Sequence, residues 1–261
     1  ELGVAFGIET NGDFDTAGRS VKFDYKSNFK NTSALMIKNF YRDAGKDFWI
    51  TRDNLTAPFI KKPANYGTQI QFMGPSSNRF SYGLTVAREK GSEWFSALGF
   101  SKTYTAMVNF TPRDNLKFSL MYQHNDEKDW LNWIEDNLLG IYAKKQRTTV
   151  ASMNWFGGEK HELRVKAQMV AFTARDPSAY LGDGDGALPA VDIDLSPFSL
   201  SDLAFQIRYR YEILPLAYLY VVYSKGGRIV ESDEEDRLDK LYQRPWNDPQ
   251  ADNFTAKLRY R

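Results

Sequence analysis

The C-terminal stretch of the chain alternates strictly between apolar and polar residues. Leu203, Phe205, Ile207, Tyr209 and Tyr211 interleave with Gln206, Arg208 and Arg210; Leu219, Val221 and Tyr223 follow. Phe254, Ala256, Leu258 and Tyr260 then interleave with Thr255, Lys257 and Arg259. A period of two places each set on its own face of an extended strand. A water-soluble sheet buries its apolar face against a core. A membrane barrel turns that face to lipid and its polar face to a wet interior. Those two readings divide almost everything else about the chain.

Composition narrows the choice. The 261 residues carry a formal net charge of +1, which argues against a partner held by phosphate neutralisation, and so against nucleic acid. No window reaches the roughly 18 to 20 uncharged apolar residues of a spanning helix. Aromatic residues make up 15% of the chain, mostly Tyr and Phe, which suits a barrel with interfacial girdles. Cysteine is absent, removing disulfides, thiolate metal sites and cysteine nucleophiles. The first residue is Glu1, with no initiator Met, as expected of a processed or truncated product.

Period-two runs bounded by turn residues predict strands at about 2–10, 18–30, 33–43, 66–75, 79–88, 93–111, 115–125, 140–156, 160–174, 199–213, 217–225 and 253–261. Tight connections of Gly, Pro, Asn or Asp, such as Phe156-Gly157-Gly158-Glu159 and Pro112-Arg113-Asp114-Asn115, alternate with long polar ones. The long ones span 44–65, 126–139, 175–198 and 226–252, with two shorter exceptions at Lys90-Gly91-Ser92 and Asn11 to Ala17. Short turns at one end and long loops at the other characterise bacterial outer-membrane barrels. The expectation is therefore an all-β, antiparallel transmembrane β-barrel of about 12 strands, occupying residues 1–261 as one domain. Leu116, Phe118, Leu120 and Tyr122 would face lipid, as would Leu163, Val165, Ala167 and Met169. Trp155, Phe156, Tyr104, Tyr211 and Tyr260 would form aromatic girdles. The N-terminal quarter is less regular, because Leu35-Met36-Ile37 interrupts the alternation.

Several segments also resemble a known family. They include Asp129-Trp130-Leu131-Asn132-Trp133, Asn154-Trp155-Phe156-Gly157-Gly158-Glu159-Lys160-His161-Glu162-Leu163-Arg164 and Gln206-Ile207-Arg208-Tyr209-Arg210-Tyr211-Glu212-Ile213. With Leu219 to Gly227 and Lys257 to Arg261, they are similar to the C-terminal part of a family of Gram-negative outer-membrane proteins. In that family a barrel domain of unknown function follows an N-terminal family 9-like carbohydrate-binding module. The resemblance is clearest over 94–261 and rests on strand and turn signatures. It implies an address in the outer membrane, with lipids and lipopolysaccharide around the barrel and the barrel insertion machinery as a partner in biogenesis. The carbohydrate-binding module is absent from this chain, and the family pattern continues to a final aromatic, so that after Phe254, Ala256, Leu258 and Tyr260 one terminal Phe is expected beyond Arg261.

Candidate chemistry is sparse. Only two histidines occur, His124 beside a loop and His161 in a short turn, and neither stands in a Ser/His/Asn spacing. No catalytic residue is assigned. Asp183 and Asp185, with Asp192 and Asp194 further on, alternate with glycine in a spacing that could offer oxygen ligands to calcium. The spacing lacks the glutamate of an EF-hand. Glu231 and 233–236 form a second acidic run, expected as a solvated loop tip. Lys117, Arg164, Lys166, Arg208, Arg210, Lys257 and Arg259 all fall on the inward face, where rings of bases favour anions. Trp130, Trp133 and Trp246 fall in long outer loops, available to a ligand or a partner protein. The leading expectation is a porin-like transport channel or a surface-binding anchor, without catalysis. In the channel reading, loops 175–198 and 226–252 gate the mouth. The alternatives are a plugged scaffold that docks a secreted or lipid-anchored protein, and an outer-membrane lipid-modifying enzyme.

Overall fold

A computed structural model describes residues 1–10, 16–52, 57–77, 79–91, 98–232 and 238–260. In chain order the elements are β1 (Leu2–Thr10), β2 (Thr16–Asn28), β3 (Ala34–Arg42), β4 (Gly45–Asp47), β5 (Ile60–Lys62), β6 (Asn65–Met73), β7 (Phe80–Lys90) and β8 (Phe100–Arg113). They continue as β9 (Leu116–Glu135), β10 (Leu138–Gly157), β11 (His161–Leu181), β12 (Ala190–Val191), β13 (Phe198–Leu214), β14 (Ala217–Glu231), α1 (Leu238–Asn247) and β15 (Ala251–Arg259). The main sheet runs β1-β2-β3-β6-β7-β8-β9-β10-β11-β13-β14-β15, with β12 added to β11 and a separate β4–β5 pair. Every neighbour on that path is antiparallel. This is the meander of an up-and-down β-barrel wall. Among the described residues β1 and β15 bound the sheet, each with one neighbour.

Register makes both faces continuous. One row reads Phe72, Leu84, Ala106, Tyr122, Thr149, Met169 and Leu203 across successive strands. The row beside it reads Ile37, Ile70, Val86 and Tyr104. The opposite face carries Ser119, Ser152, Lys166, Gln206, Ser224 and Asn253 in register. The apolar face is the open one: Phe6 is 83% exposed, Leu84 51% and Leu120 49%. Val4, Phe23, Ile70, Val86, Val108, Phe110, Phe118, Phe254 and Leu258 are exposed with them. Each large apolar side chain left in water forgoes roughly 1.5–3 kcal/mol relative to burial. Summed over this face, that loss exceeds the ~5–15 kcal/mol that holds a typical domain together. A lipid surround removes the penalty, so this face is the barrel exterior. No helix among the described residues is long and apolar enough to cross a membrane.

The strands expected from the sequence are all present, and β9, β11 and β14 each exceed the expected length by six residues or more. β9 and β10 have 20 residues and β11 has 21. A tilted strand needs only about 9–11 residues to cross a bilayer. The expected loop 126–139 is instead a continuation of β9 and β10 around a turn at Asp136, where φ is 40°. β11 likewise consumes part of 175–198, and β14 and α1 consume much of 226–252. β8 begins at Phe100; positions 93–97 of the expected strand 93–111 lie outside the described residues, as do 11–15, 233–236 of the acidic run and Arg261. At the other end the turns are tight, and Gly158 takes the positive φ (63°) that closes the β10–β11 hairpin.

Beyond the apolar band the loops pack on one another. Ile60 of β5 joins Leu131 and Leu139 in a buried cluster flanked by Ile50, Trp133, Ile141 and Leu188. The Lys61 amide donates to the Gly186 carbonyl at 2.7 Å. The hairpin β4–β5 is pinned by Lys62 Nζ, 2.6 Å from Asp47 Oδ2, while Asp47 Oδ1 accepts from the amides of Trp49 (2.9 Å) and Ile50 (3.1 Å). Burial alone would raise the Asp47 pKa, but Lys62 and the two amides outweigh it and hold the carboxyl below its ordinary 3.8. A depressed folded-state pKa contributes stability that is present above the unfolded value and lost as pH falls through the folded one. Amide protection factors over 45–52 and 57–62 are therefore expected to fall only below about pH 3.8. In Asp47→Asn protection there should already be low at neutral pH.

Candidate functional site: the interior basic face

All seven inward bases expected from the sequence lie on the polar face. Lys117, Asn154, Arg164, Arg208, Val222 and Thr255 form one row. Glu162, Arg210, Tyr220 and Lys257 form the next, and Lys166 and Arg259 occupy the rows on either side of these two. The period-two pattern dictates this, because flat register carries each inward residue beside its inward neighbours.

Four of the seven converge. Arg164, Arg208, Arg210 and Lys257, with Glu162, Tyr209, Tyr220, Val222 and Thr255, line a concavity of about 420 Å³. It lies toward the short-turn end, since Arg164 is close to the β10–β11 turn and Arg210 to the β13–β14 turn. Glu162 is 8% exposed and is clamped between Arg164 Nε and Arg210, whose guanidinium lies 2.9 Å away. Arg210 also lies over the Tyr218 ring at 5.4 Å. Arg208 and Lys257 have no carboxylate partner among the described residues. The pocket thus holds four cations against one carboxylate, and a solvated anion finds a net positive wall. Lys166 lines a neighbouring hollow with Ser152, Gln168, Gln206 and Ser224 on one side and Ala167, Leu203 and Phe205 on the other, whereas Lys117 and Arg259 lie outside both.

The same face carries bases that the sequence reading missed. Lys22, Asp24, Lys38, Gln69 and Glu89 share a hollow on β2, β3, β6 and β7. The run Leu35-Met36-Ile37 obscured their parity; in register Leu35 and Ile37 face out and Met36 faces in. The charge is mixed there and strongly basic only in the C-terminal half.

The three loop tryptophans are placed differently from expectation. Trp130 lies on β9 and packs against Tyr142, Phe172 and Phe198 at ring distances of 6.1, 5.8 and 6.3 Å. Lys144 Nζ sits 4.7 Å from the Trp130 ring centre and 3.6 Å from Glu127 Oε1. Burial pushes the Lys144 ammonium pKa down, partly offset by Glu127. This aromatic cage is on the interior side, above the apolar band, where a bulge at Asp129 (φ 57°) sets Lys144 opposite Glu127 and Tyr142 opposite Trp130. Trp133 is also on β9, donates to the Asp136 carbonyl at 3.0 Å and stacks under Arg52 at 4.1 Å. Both are packed within the protein and are not loop contacts held out to solvent. Phe156 is a further correction, since its parity places it on the polar face beside Glu162.

Trp246 belongs to α1, and α1 does not hang over the mouth. Leu241 is buried against Ala171, Trp246 packs edge-on to Phe205 at 5.2 Å, and the Tyr242 and Thr149 hydroxyls are 3.3 Å apart. Ala171, Phe205 and Thr149 are all on the exterior face, so helix α1 of the segment 226–252 covers the outer wall and does not lie over the interior mouth as expected. Leu241→Ala removes one of the two fully buried side chains described on this helix, the other being Pro245. It should cost about 2–4 kcal/mol and raise amide exchange across 238–247 while leaving β11 and β13 protected.

Neither histidine sits in a catalytic arrangement. His161 opens β11, shares a 2.7 Å hydrogen bond with the Tyr209 hydroxyl and stacks on Tyr211 at 4.8 Å. His124 lies within β9 and stacks on Tyr104 at 6.5 Å. No serine is hydrogen-bonded to either among the described residues. Asp183 Oδ1 accepts from the amides of Asp185 (3.0 Å) and Ala187 (2.7 Å), so it shapes its own turn. No three acidic or histidine side chains among the described residues converge as a metal site.

No protein-family model matches the chain, and no curated protein matches it. Solved structures similar in shape include the following two. A structure described as "NanC porin structure in rhombohedral crystal form" is 8% identical, with 88% of this chain and 98% of that chain covered and a TM-score of 0.31. LpxR from Salmonella typhimurium is 10% identical, with 83% and 84% covered and a TM-score of 0.28. At these values no residue role passes from either protein to this chain.

Proposed function

We propose that the protein is an integral outer-membrane β-barrel whose interior basic face gives a conducting pore a preference for anions. The observation that carries this reading is the concavity in which Arg164, Arg208, Arg210 and Lys257 face one carboxylate, Glu162. Bases that line a narrow aqueous path raise local anion concentration and oppose cations. The protein acts by passage and display, without bond-making chemistry. The test is reconstitution into planar bilayers under a salt gradient. Steady steps with a reversal potential of anion-selective sign are expected. A folded, inserted barrel that stays silent and co-purifies with a partner protein would overturn it.

One observation favours the plugged-scaffold alternative. The cage of Trp130, Tyr142, Phe172 and Phe198 around Lys144 fills part of the interior side beyond the apolar band. If it occludes the path, the chain is an anchor presenting its packed loop cluster to a secreted or lipid-anchored partner.

A further inference from the structure

The exterior face changes character abruptly on β7–β10. Below lie Leu84, Leu120 and Tyr122, all exposed large apolar side chains. Two rows above Leu84 and Tyr122, Arg88 is directly opposite Lys102, Lys102 opposite Asp126, and Asp126 opposite Lys145. The intervening row pairs Tyr104 with His124 and His124 with Arg147. Like charges directly opposite one another on an antiparallel pair destabilise it. Arg88 and Lys102 are nevertheless both exposed in that arrangement, and Asp126 is the only carboxylate in the two rows on these four strands. Beside them, His124 Nδ1 and Arg147 Nε are buried atoms without a hydrogen-bond partner. Buried polar atoms in a folded protein are normally satisfied, so an unsatisfied pair on adjacent strands calls for a partner. Helix α1 borders the patch, with Tyr242 on Thr149, next to Arg147 along β10.

We propose that Arg88, Lys102, His124, Lys145 and Arg147 form a site for the phosphate-bearing headgroup of an anionic lipid in the leaflet on the long-loop side. The cationic groups complement the phosphate, and the apolar strip directly beneath receives the acyl chains. A soluble phosphate would use only the upper half of this surface, which is why the occupant is a lipid. This inference rests on the reading that the apolar face meets a bilayer.

The test uses the full chain, purified in neutral detergent, and native mass spectrometry of retained lipid. Phosphatidic acid and phosphatidylcholine of matched chain length are the probes, with glycerol phosphate as the soluble competitor. The wild-type chain should retain phosphatidic acid in preference to phosphatidylcholine. The combined variant R88Q, K102Q and R147Q should lose about tenfold in that preference, equivalent to ~1.4 kcal/mol, while keeping its heat-modifiable folded band on gels. Glycerol phosphate should not displace the lipid at equal concentration. Equal retention of the two lipids, an unchanged variant, or displacement by glycerol phosphate as effective as by lipid would overturn the site. Should the triple variant fail to fold, the single variant K102Q, at an exposed position, is read instead with the same two outcomes. A wild-type chain that inserts into vesicles yet retains no phosphatidic acid contradicts this site alone. One that fails to insert contradicts the membrane reading beneath it.

Discussion

A chain carrying R164Q, R208Q and K257Q together is expected to lose its anion preference in planar bilayers, with the anion-to-cation permeability ratio falling by roughly an order of magnitude. The three substitutions remove three of the four cations lining the interior concavity. Arg210 is retained because it holds Glu162 at 2.9 Å, and a buried carboxylate stripped of both arginines would confuse selectivity with folding. Single-channel conductance should fall less than selectivity, since glutamine changes charge far more than width. An unchanged reversal potential in a folded variant would place the selectivity elsewhere on the polar face, with Lys22 and Lys38 as the next residues to neutralise.

The second large effect concerns stability. Lys144→Met leaves the Glu127 carboxylate, 4% exposed, without its ammonium and with Oε2 already lacking a partner. Breaking one side of a buried ion pair costs about 3–5 kcal/mol, less whatever the carboxyl recovers by taking up a proton. Urea unfolding followed by tryptophan fluorescence should show this as a shift to lower midpoint. The double variant E127Q and K144M should recover most of the loss, because no buried charge remains and methionine can fill the Trp130–Phe172 cage. If the single and double variants are equally destabilised, the cage depends on the cation lying over the rings and not on charge balance.

The wall itself was legible from residue order because period two persists unbroken for many residues in β11, β13 and β15. Register then follows, since a slip by one would exchange Arg164 with Val165 and reverse both faces. The strand extensions beyond the band were hidden by composition: 126–139 is polar and charged, as a loop would be. The bulge at Asp129, and another marked by the positive φ (49°) of Asp176, break the alternation that would have announced them. Trp130 therefore read as a loop aromatic when it is a packed strand residue. Helix α1 escaped notice because it is short, includes Pro245, and takes its stability from Leu241 and Trp246 against distant strands. The seven interior bases were found by parity alone. Their convergence into one pocket required knowing which strands are neighbours, and the exterior cluster around Arg88 and Lys102 required the register itself.

The central claim is that Leu163 and Val165 of β11 and Ile207 and Tyr209 of β13 meet lipid, whereas Arg164, Lys166, Gln206 and Arg208 between them meet water. The chain contains no cysteine, so single cysteines can be placed at 163–169 and 203–209 without altering the background. In vesicle-inserted protein, cysteines replacing Arg164, Lys166, Gln206 and Arg208 should react quickly with a charged, membrane-impermeant maleimide. Those replacing Leu163, Val165, Ile207 and Tyr209 should react slowly, and a fluorophore attached there should be quenched by lipid-borne bromine. Uniform reactivity, or the reverse alternation, would contradict the barrel wall and the basic interior together.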